Sequence, residues 1–258
     1  MSTNCYINRS TPQWFISTDK PRIEARLQIF CFPYSGGGAS IFYDWPKYFP
    51  QDINIMALQL PGHESRMAEE LVSDLNLLID KLAVAISPYL DKPYIFFGHS
   101  LGALISFELT HRLKKMNVSL PKCLIVSGRA APHTPSKNGI IHNLPNSEFI
   151  AKLKEYNGLP EIILDNQELL DLFLPIIRAD FKLSESHLHM EDEPLPVPII
   201  ALAGKNDQNV IIENVALWME HTTKSFKEYL LPGDHFFIKS HLEEVLNIIQ
   251  DAIKETNI

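Results

Sequence analysis

Residues 93–109 read PYIFFGHSLGALISFEL. The segment Tyr94-Ile95-Phe96-Phe97 is continuously apolar, the pattern of a strand buried on both faces. From Ala103 to Lys115 the pattern is that of a helix. Between the two, Ser100 stands in Gly98-His99-Ser100-Leu101-Gly102. A small polar residue flanked by glycines at the end of a buried strand marks a sharp strand-to-helix turn, because glycine permits close backbone approach. Such a turn lifts the serine Oγ to the top of the sheet. The helix N-terminus beside it offers unpaired N–H groups and a positive dipole end to a developing anion. That is the setting of a nucleophilic serine; the plain alternative is a tight turn with a capping serine.

Outward from this turn, short apolar runs alternate with helix-period segments. LQIFCFP (27–33), INIMALQL (53–60), YIFFG (94–98), CLIVSG (123–128), VPIIALAG (197–204) and KEYLLPG (227–233) read as strands. In 74–90, Leu75, Leu78, Ile79, Leu82 and Ile86 recur at helical steps, as do Leu242, Val245, Leu246, Ile249 and Ile253 in 239–256. This alternation predicts a mostly parallel central sheet with helices on both faces, in a single domain spanning 1–258. Residues 133 to about 192 break the rhythm with two helical stretches and no strand. We read them as an inserted helical lid over one end of the sheet; an ordinary pair of sheet-covering helices is the alternative. Asn146 or Ser147 is expected to cap the first lid helix, and the chain to leave it near Gly158-Leu159-Pro160.

A serine hydroxyl needs a base, and the base an orienting carboxylate. In α/β-hydrolases, which share such a strand–turn–helix serine, the chain order is serine, acid, histidine. Of ten histidines, His235 follows the last strand in LLPGDHFF, where a loop reaches back toward Ser100. His221 and His241 lie in or beside helix patterns and are expected at the surface; His99 faces away from the attack direction. Asp207, just after the strand 197–204, is the expected acid; its alternative role is to cap a segment beginning near Asn209. Asp180, in RADF, is the rival, with an ion pair to Arg178 or another lid residue as its simpler role. Asp234 adjoins His235 too closely to orient it. The loop PYSGGGAS (33–40) lacks the spacing of a phosphate-binding loop. It is expected to donate an oxyanion N–H from Ser35, with Tyr34 and Gly36 as alternatives, beside that of Leu101.

Composition excludes other classes. A net charge of −8 disfavours a nucleic-acid surface, and the one basic cluster, HRLKK (111–115), reads as the solvated end of a helix. No apolar run approaches the roughly 18 residues of a membrane span. The N-terminus is polar and lacks a signal-peptide layout, so a cytoplasmic location is expected. Cys5, Cys31 and Cys123 have no paired spacing, and Cys31 and Cys123 read as buried hydrophobes. His-x-His at 187–189 lacks a third ligand, so no metal is expected.

FCFPYSGGGAS, LQLPGHESR, FFGHSLGALISFEL, SGRAAP, LPIIRADFKL and LPGDHFF occur together and in order. This set resembles the external, type II thioesterases of non-ribosomal peptide and polyketide synthases, from about Trp14 to the last helix. The resemblance implies an α/β-hydrolase with a helical lid that hydrolyses thioesters on the phosphopantetheine arm of carrier proteins, removing stalled or misprimed groups. It matches Ser100 to the nucleophile, His235 to the base, Asp207 to the acid, 33–38 to the oxyanion loop and 133–192 to the lid. Leu101 replaces a common methionine. His63 stands where arginine is frequent, which bears on how Glu64 and Arg66 are held near the base of the fold. Acyl or peptidyl carrier domains are the implied partners, no cofactor is required, and a monomer is expected. A medium-chain fatty acyl-carrier-protein thioesterase, a small-molecule esterase and a non-catalytic binding module are the alternatives.

Overall fold

A computed structural model describes residues 13–19, 25–187 and 193–256. Its sheet is built from β1 (Phe15–Ser17), β2 (Leu27–Phe32), β3 (Ile53–Leu58), β4 (Tyr94–His99), β5 (Leu124–Ser127), β6 (Ile199–Gly204) and β7 (Phe226–Leu231). The order is β1-β3-β2-β4-β5-β6-β7. Every pairing is parallel except β1 on β3, which is antiparallel. The six longer strands match the sequence reading within a few residues. β1 was not expected: three residues are too few to show a period, and only Phe15 is buried.

The helices are α1 (Leu75–Ile86), α2 (Leu101–Lys115), α3 (Asn146–Glu155), α4 (Glu161–Leu164), α5 (Gln167–Glu185), α6 (Phe237–Ser240) and α7 (Leu242–Glu255). Alternation along the strands builds two cores. Phe30, Phe32 and Phe96 pack with Leu78 and Leu82 of α1 and Leu101 and Ile105 of α2. Ile29, Cys31, Ile95 and Phe97 point the other way, onto Trp45, Val245 and Ile249. Burial of both faces explains why these strands are nearly continuous apolar runs. The side chain of Asp74 caps α1 by accepting from the Leu77 N–H at 2.9 Å.

Residues 141–181 contribute a third apolar cluster, with Phe149, Leu153, Leu170, Leu174 and Ile177 buried together. The helical insertion expected here, and read as a lid, holds three helices rather than two. Its first helix is not capped by Asn146 or Ser147: the N-cap is Pro145, whose fixed φ starts the helix without a side-chain bond. Asn146 instead accepts from Arg178 at 2.8 Å. The exit matches expectation, with the Gly158 N–H bonded to Leu153 O at 2.9 Å.

Among the described residues, no helix is long and apolar enough to cross a membrane. Cys31 and Cys123 are buried, whereas Cys5 and His189 lie outside the described residues. The basic cluster is less solvated than expected. His111 is buried, Arg112 pairs with Asp80 at 2.8 Å, and Lys114 faces Glu193 at 3.5 Å.

Candidate active site

β4 ends at His99, and α2 begins at Leu101, so the turn between them has one residue, Ser100. Ser100 adopts φ 56°, ψ −112°, a conformation L-residues avoid and one that stores strain. Its N–H is bonded to Ser127 O at 2.7 Å, which pins the turn to the neighbouring strand end. The flanking glycines are required for space. A Cβ on Gly98 would lie 2.2 Å from Gly102 O, and one on Gly102 would lie 2.0 Å from Phe32 O.

Asp207 and His235 are brought together by register. β6 and β7 pair as far as Gly204 opposite Leu231, and the loops beyond continue the contact, with the Asn206 N–H on Gly233 O at 3.0 Å. His235 Nδ1 then lies 2.7 Å from Asp207 Oδ2. The Asp207 side chain is fully buried. Its Oδ1 accepts from the Asn209 N–H at 2.8 Å, so the turn-capping role and the orienting role coexist in one carboxylate. Asp234 turns to its own loop and accepts from the Phe236 N–H at 2.9 Å.

Ser100, His235 and Ser35 line one cavity of about 610 Å³, together with Leu153, Ile177 and Phe181 of the lid helices. The structure therefore gathers the five predicted positions, Ser35, Ser100, Leu101, Asp207 and His235, at the carboxyl end of the sheet. Leu101 opens α2, where the first N–H groups have no partner within the helix.

Three expectations need correction. His221 is buried, not at the surface: its Nε2 is 2.7 Å from His133 Nδ1, and its ring packs on Phe107 and Trp218. Asp180 does not pair with Arg178, which binds the carbonyls of His142 and Leu144 instead. It accepts from the Gly36 N–H at 2.6 Å and lies 3.0 Å from His63 Nε2. His63 and Glu64 are not near the base of the fold. They follow β3 at its carboxyl end, where the Glu64 carboxylate bonds the Ser40 N–H and hydroxyl.

His99 is the residue the sequence undervalued. It is fully buried, with Nδ1 2.8 Å from Ser127 Oγ and Nε2 2.9 Å from His235 O. A carbonyl only accepts, so Nε2 carries the proton and Ser127 donates to Nδ1. Burial, followed by the nearby His235, holds its pKa well below the ordinary value and keeps the ring neutral. The available signal was a histidine at the end of an otherwise apolar strand, where a buried polar group must find partners.

Among the described residues, no group of three or more His, Cys, Asp or Glu side chains is placed to hold a metal ion. His187 faces Glu108 at 3.5 Å.

Comparison with known proteins agrees with this geometry. The thioesterase domain family model matches residues 27–253. The gramicidin S biosynthesis protein GrsT of Aneurinibacillus migulanus is 40% identical over 237 residues, covering 92% of each chain. A Brevibacillus parabrevis protein named linear gramicidin dehydrogenase LgrE is 39% identical over 248 residues, covering 95% of this chain and 94% of its own. Among solved structures, the type II thioesterase BorB from the borrelidin biosynthetic cluster superposes with a TM-score of 0.84 at 30% identity, covering 95% of this chain and 99% of that one. A chain with this match across nearly its whole length, and with an α/β-hydrolase sheet that sets Ser100 and His235 on one cavity, belongs to the thioesterase domain family.

Proposed function

We propose that this protein is a type II, editing thioesterase that hydrolyses acyl or aminoacyl groups from the phosphopantetheine arm of carrier proteins in a non-ribosomal peptide or polyketide system. The observation that carries the chemistry is that His235, hydrogen-bonded to the buried Asp207, lines the same cavity as Ser100 on its strained turn. The relatives named for gramicidin S biosynthesis and for the borrelidin cluster support the biosynthetic setting. The dehydrogenase name of the Brevibacillus parabrevis relative does not fit this chain: the glycine-rich loop after β2, PYSGGGAS, lacks dinucleotide-binding spacing.

In this reading Ser100 Oγ attacks the thioester carbonyl while His235 Nε2 takes its proton. Asp207 holds the Nδ1–H tautomer and stabilises the imidazolium. The oxyanion accepts from the Leu101 N–H and from the loop after β2. Because the Gly36 N–H is committed to Asp180, Ser35 is favoured over Gly36 as the second donor. His235 then protonates the departing pantetheine thiol, and the same base activates water to release the acid from Ser100. These steps use side chains, main-chain N–H groups and water. The lid cavity accommodates the acyl group, and loose fit suits an editing role because one methylene is worth only about 1–3 kcal/mol in a hydrophobic pocket. A cytoplasmic location follows from the same reading, since carrier-bound synthesis takes place there.

The test is hydrolysis of acetyl and longer acyl groups from one loaded carrier protein, followed by intact-protein mass spectrometry. Wild type and Ser100→Ala run side by side, with the matching acyl-CoA as comparison. Release by wild type only, faster from carrier than from CoA, is expected. Equal release by the alanine variant would remove the serine mechanism. Preference for CoA or for oxygen esters would remove the carrier-editing role.

A further inference from the structure

Asp180, on lid helix α5, is only 2% exposed, yet its Oδ2 serves two donors. One is the Gly36 main-chain N–H at 2.6 Å, in the loop that carries Ser35. The other is His63 Nε2 at 3.0 Å. The second ring nitrogen of His63, Nδ1, lies 3.0 Å from Pro61 O. A carbonyl oxygen accepts only, so Nδ1 carries a proton. An ionised carboxylate accepts only, so Nε2 carries one as well. A neutral imidazole has a single N–H, so both bonds are made together only by the imidazolium.

The surroundings agree. Burial opposes the charge on His63, but the field of Asp180, its hydrogen bond and the bond to Pro61 outweigh it, and the pKa is raised above the ordinary value. The charged groups facing the ring are both acidic: Asp180 from α5 and, more weakly, Glu64 from the ring's own loop. A second contact joins the same two elements, since a Cβ on Gly36 would lie 2.9 Å from Ile177 Cγ1 on α5.

We propose that His63 and Asp180 are positioning residues for the oxyanion loop: the protonated His63 fixes the Asp180 carboxylate, which holds the Gly36 N–H and thereby sets the adjacent Ser35 N–H toward the reacting carbonyl. This rests on the thioesterase reading above. Loss of the His63 proton removes one of its two bonds and loosens the lid helix from the loop. The rate of the chemical step then falls on the alkaline side, while substrate binding is little changed. The cavity wall and the oxyanion donor are thus tied to one buried carboxylate.

The test measures kcat and KM for an acetyl N-acetylcysteamine thioester between about pH 6 and 9.5. Wild type, His63→Gln and His63→Arg are compared, with thermal melting to verify folding. His63→Gln is expected to lose roughly tenfold or more in kcat near pH 7 with KM little changed, a share of the 10²–10³-fold cost of deleting an oxyanion donor. Wild-type kcat should fall at alkaline pH, and His63→Arg, charged throughout, should not show that fall. Wild-type kcat in His63→Gln, or an identical alkaline fall in His63→Arg, would overturn the proposal. Histidine-selective ¹⁵N NMR of the wild-type protein gives an answer that needs neither variant to fold. His63 should show two protonated ring nitrogens at pH 7, and a neutral ring there would overturn the proposal. If Ser100→Ala hydrolyses the thioester as fast as wild type, the thioesterase reading fails instead, and the NMR result still decides the state of the His63–Asp180 pair.

Discussion

The ring of His99 donates from Nε2 to the main-chain carbonyl of His235 at 2.9 Å. The residue preceding the proposed nucleophile, Ser100, therefore holds the backbone of the proposed base, His235. Ser127 fixes the other ring nitrogen at 2.8 Å, so the end of β5 orients His99, and His99 orients the loop after β7. Gly128 must lack a side chain for this to work, since a Cβ there would lie 2.7 Å from His99 Cε1.

Replacing His99 with Ala should leave Ser127 Oγ and His235 O without their partners. An unsatisfied buried polar group costs about 1–3 kcal/mol. In a chain of this size each kcal/mol lowers Tm by about 2–4 °C. Activity should fall more than stability suggests, because His235 loses an anchor. Calorimetry and kcat on a loaded carrier protein check both effects.

His99 and His63 should move stability in opposite directions with pH. His99 stays neutral when folded but takes a proton when unfolded, so the unfolded chain binds more protons. Stability from this site is lost as pH falls below the ordinary value of 6.5. His63 has a raised folded pKa, so its contribution is fully present below 6.5 and is lost as pH rises through the folded value. Urea unfolding across this range should show the His63→Gln deficit shrinking toward alkaline pH. A deficit independent of pH would count against the charged state of His63.

Asp207→Asn should keep the fold and lose most of the activity. The Asn209 N–H can still be accepted by the amide oxygen, but the amide N–H₂ then faces His235 Nδ1 and selects the wrong tautomer. By analogy with the protease case, kcat should fall about 10⁴-fold. A loss under tenfold would point to another carboxylate as the acid.

Gly102→Ala should fail to fold or be severely destabilised, because its Cβ would meet Phe32 O at 2.0 Å and the strand cannot retreat. Gly158→Ala is the control, with its nearest contact at 3.5 Å. It should be neutral or gain about 0.4–1 kcal/mol through the unfolded state. Soluble expression and thermal melting separate the two.

Phe181 lines the cavity and stands edge-on to Phe149 at 5.6 Å. Phe181→Ala should enlarge the acyl chamber and raise kcat/KM for longer acyl groups relative to acetyl, by about tenfold or more per accommodated methylene. An unchanged chain-length profile would place the acyl group elsewhere.

The sequence by itself determined the six longer strands and the elbow. Continuous apolar runs such as Tyr94–Phe97, and the glycines around Ser100, are local patterns with local physical causes. Chain order and position after a strand also singled out His235 and Asp207, which the structure places 2.7 Å apart. What only the tertiary structure decided are the contacts between residues far apart in the chain. The role of Asp180 depends on α5 crossing the loop after β2, 144 residues away in sequence. His221 looked like a surface residue until Phe107 and Trp218 enclosed it, and β1 has meaning only beside β3. Periodicity records which face of an element is buried; it holds no record of which polar group on another element waits there, and hydrogen-bond satisfaction in the interior is settled by that meeting alone.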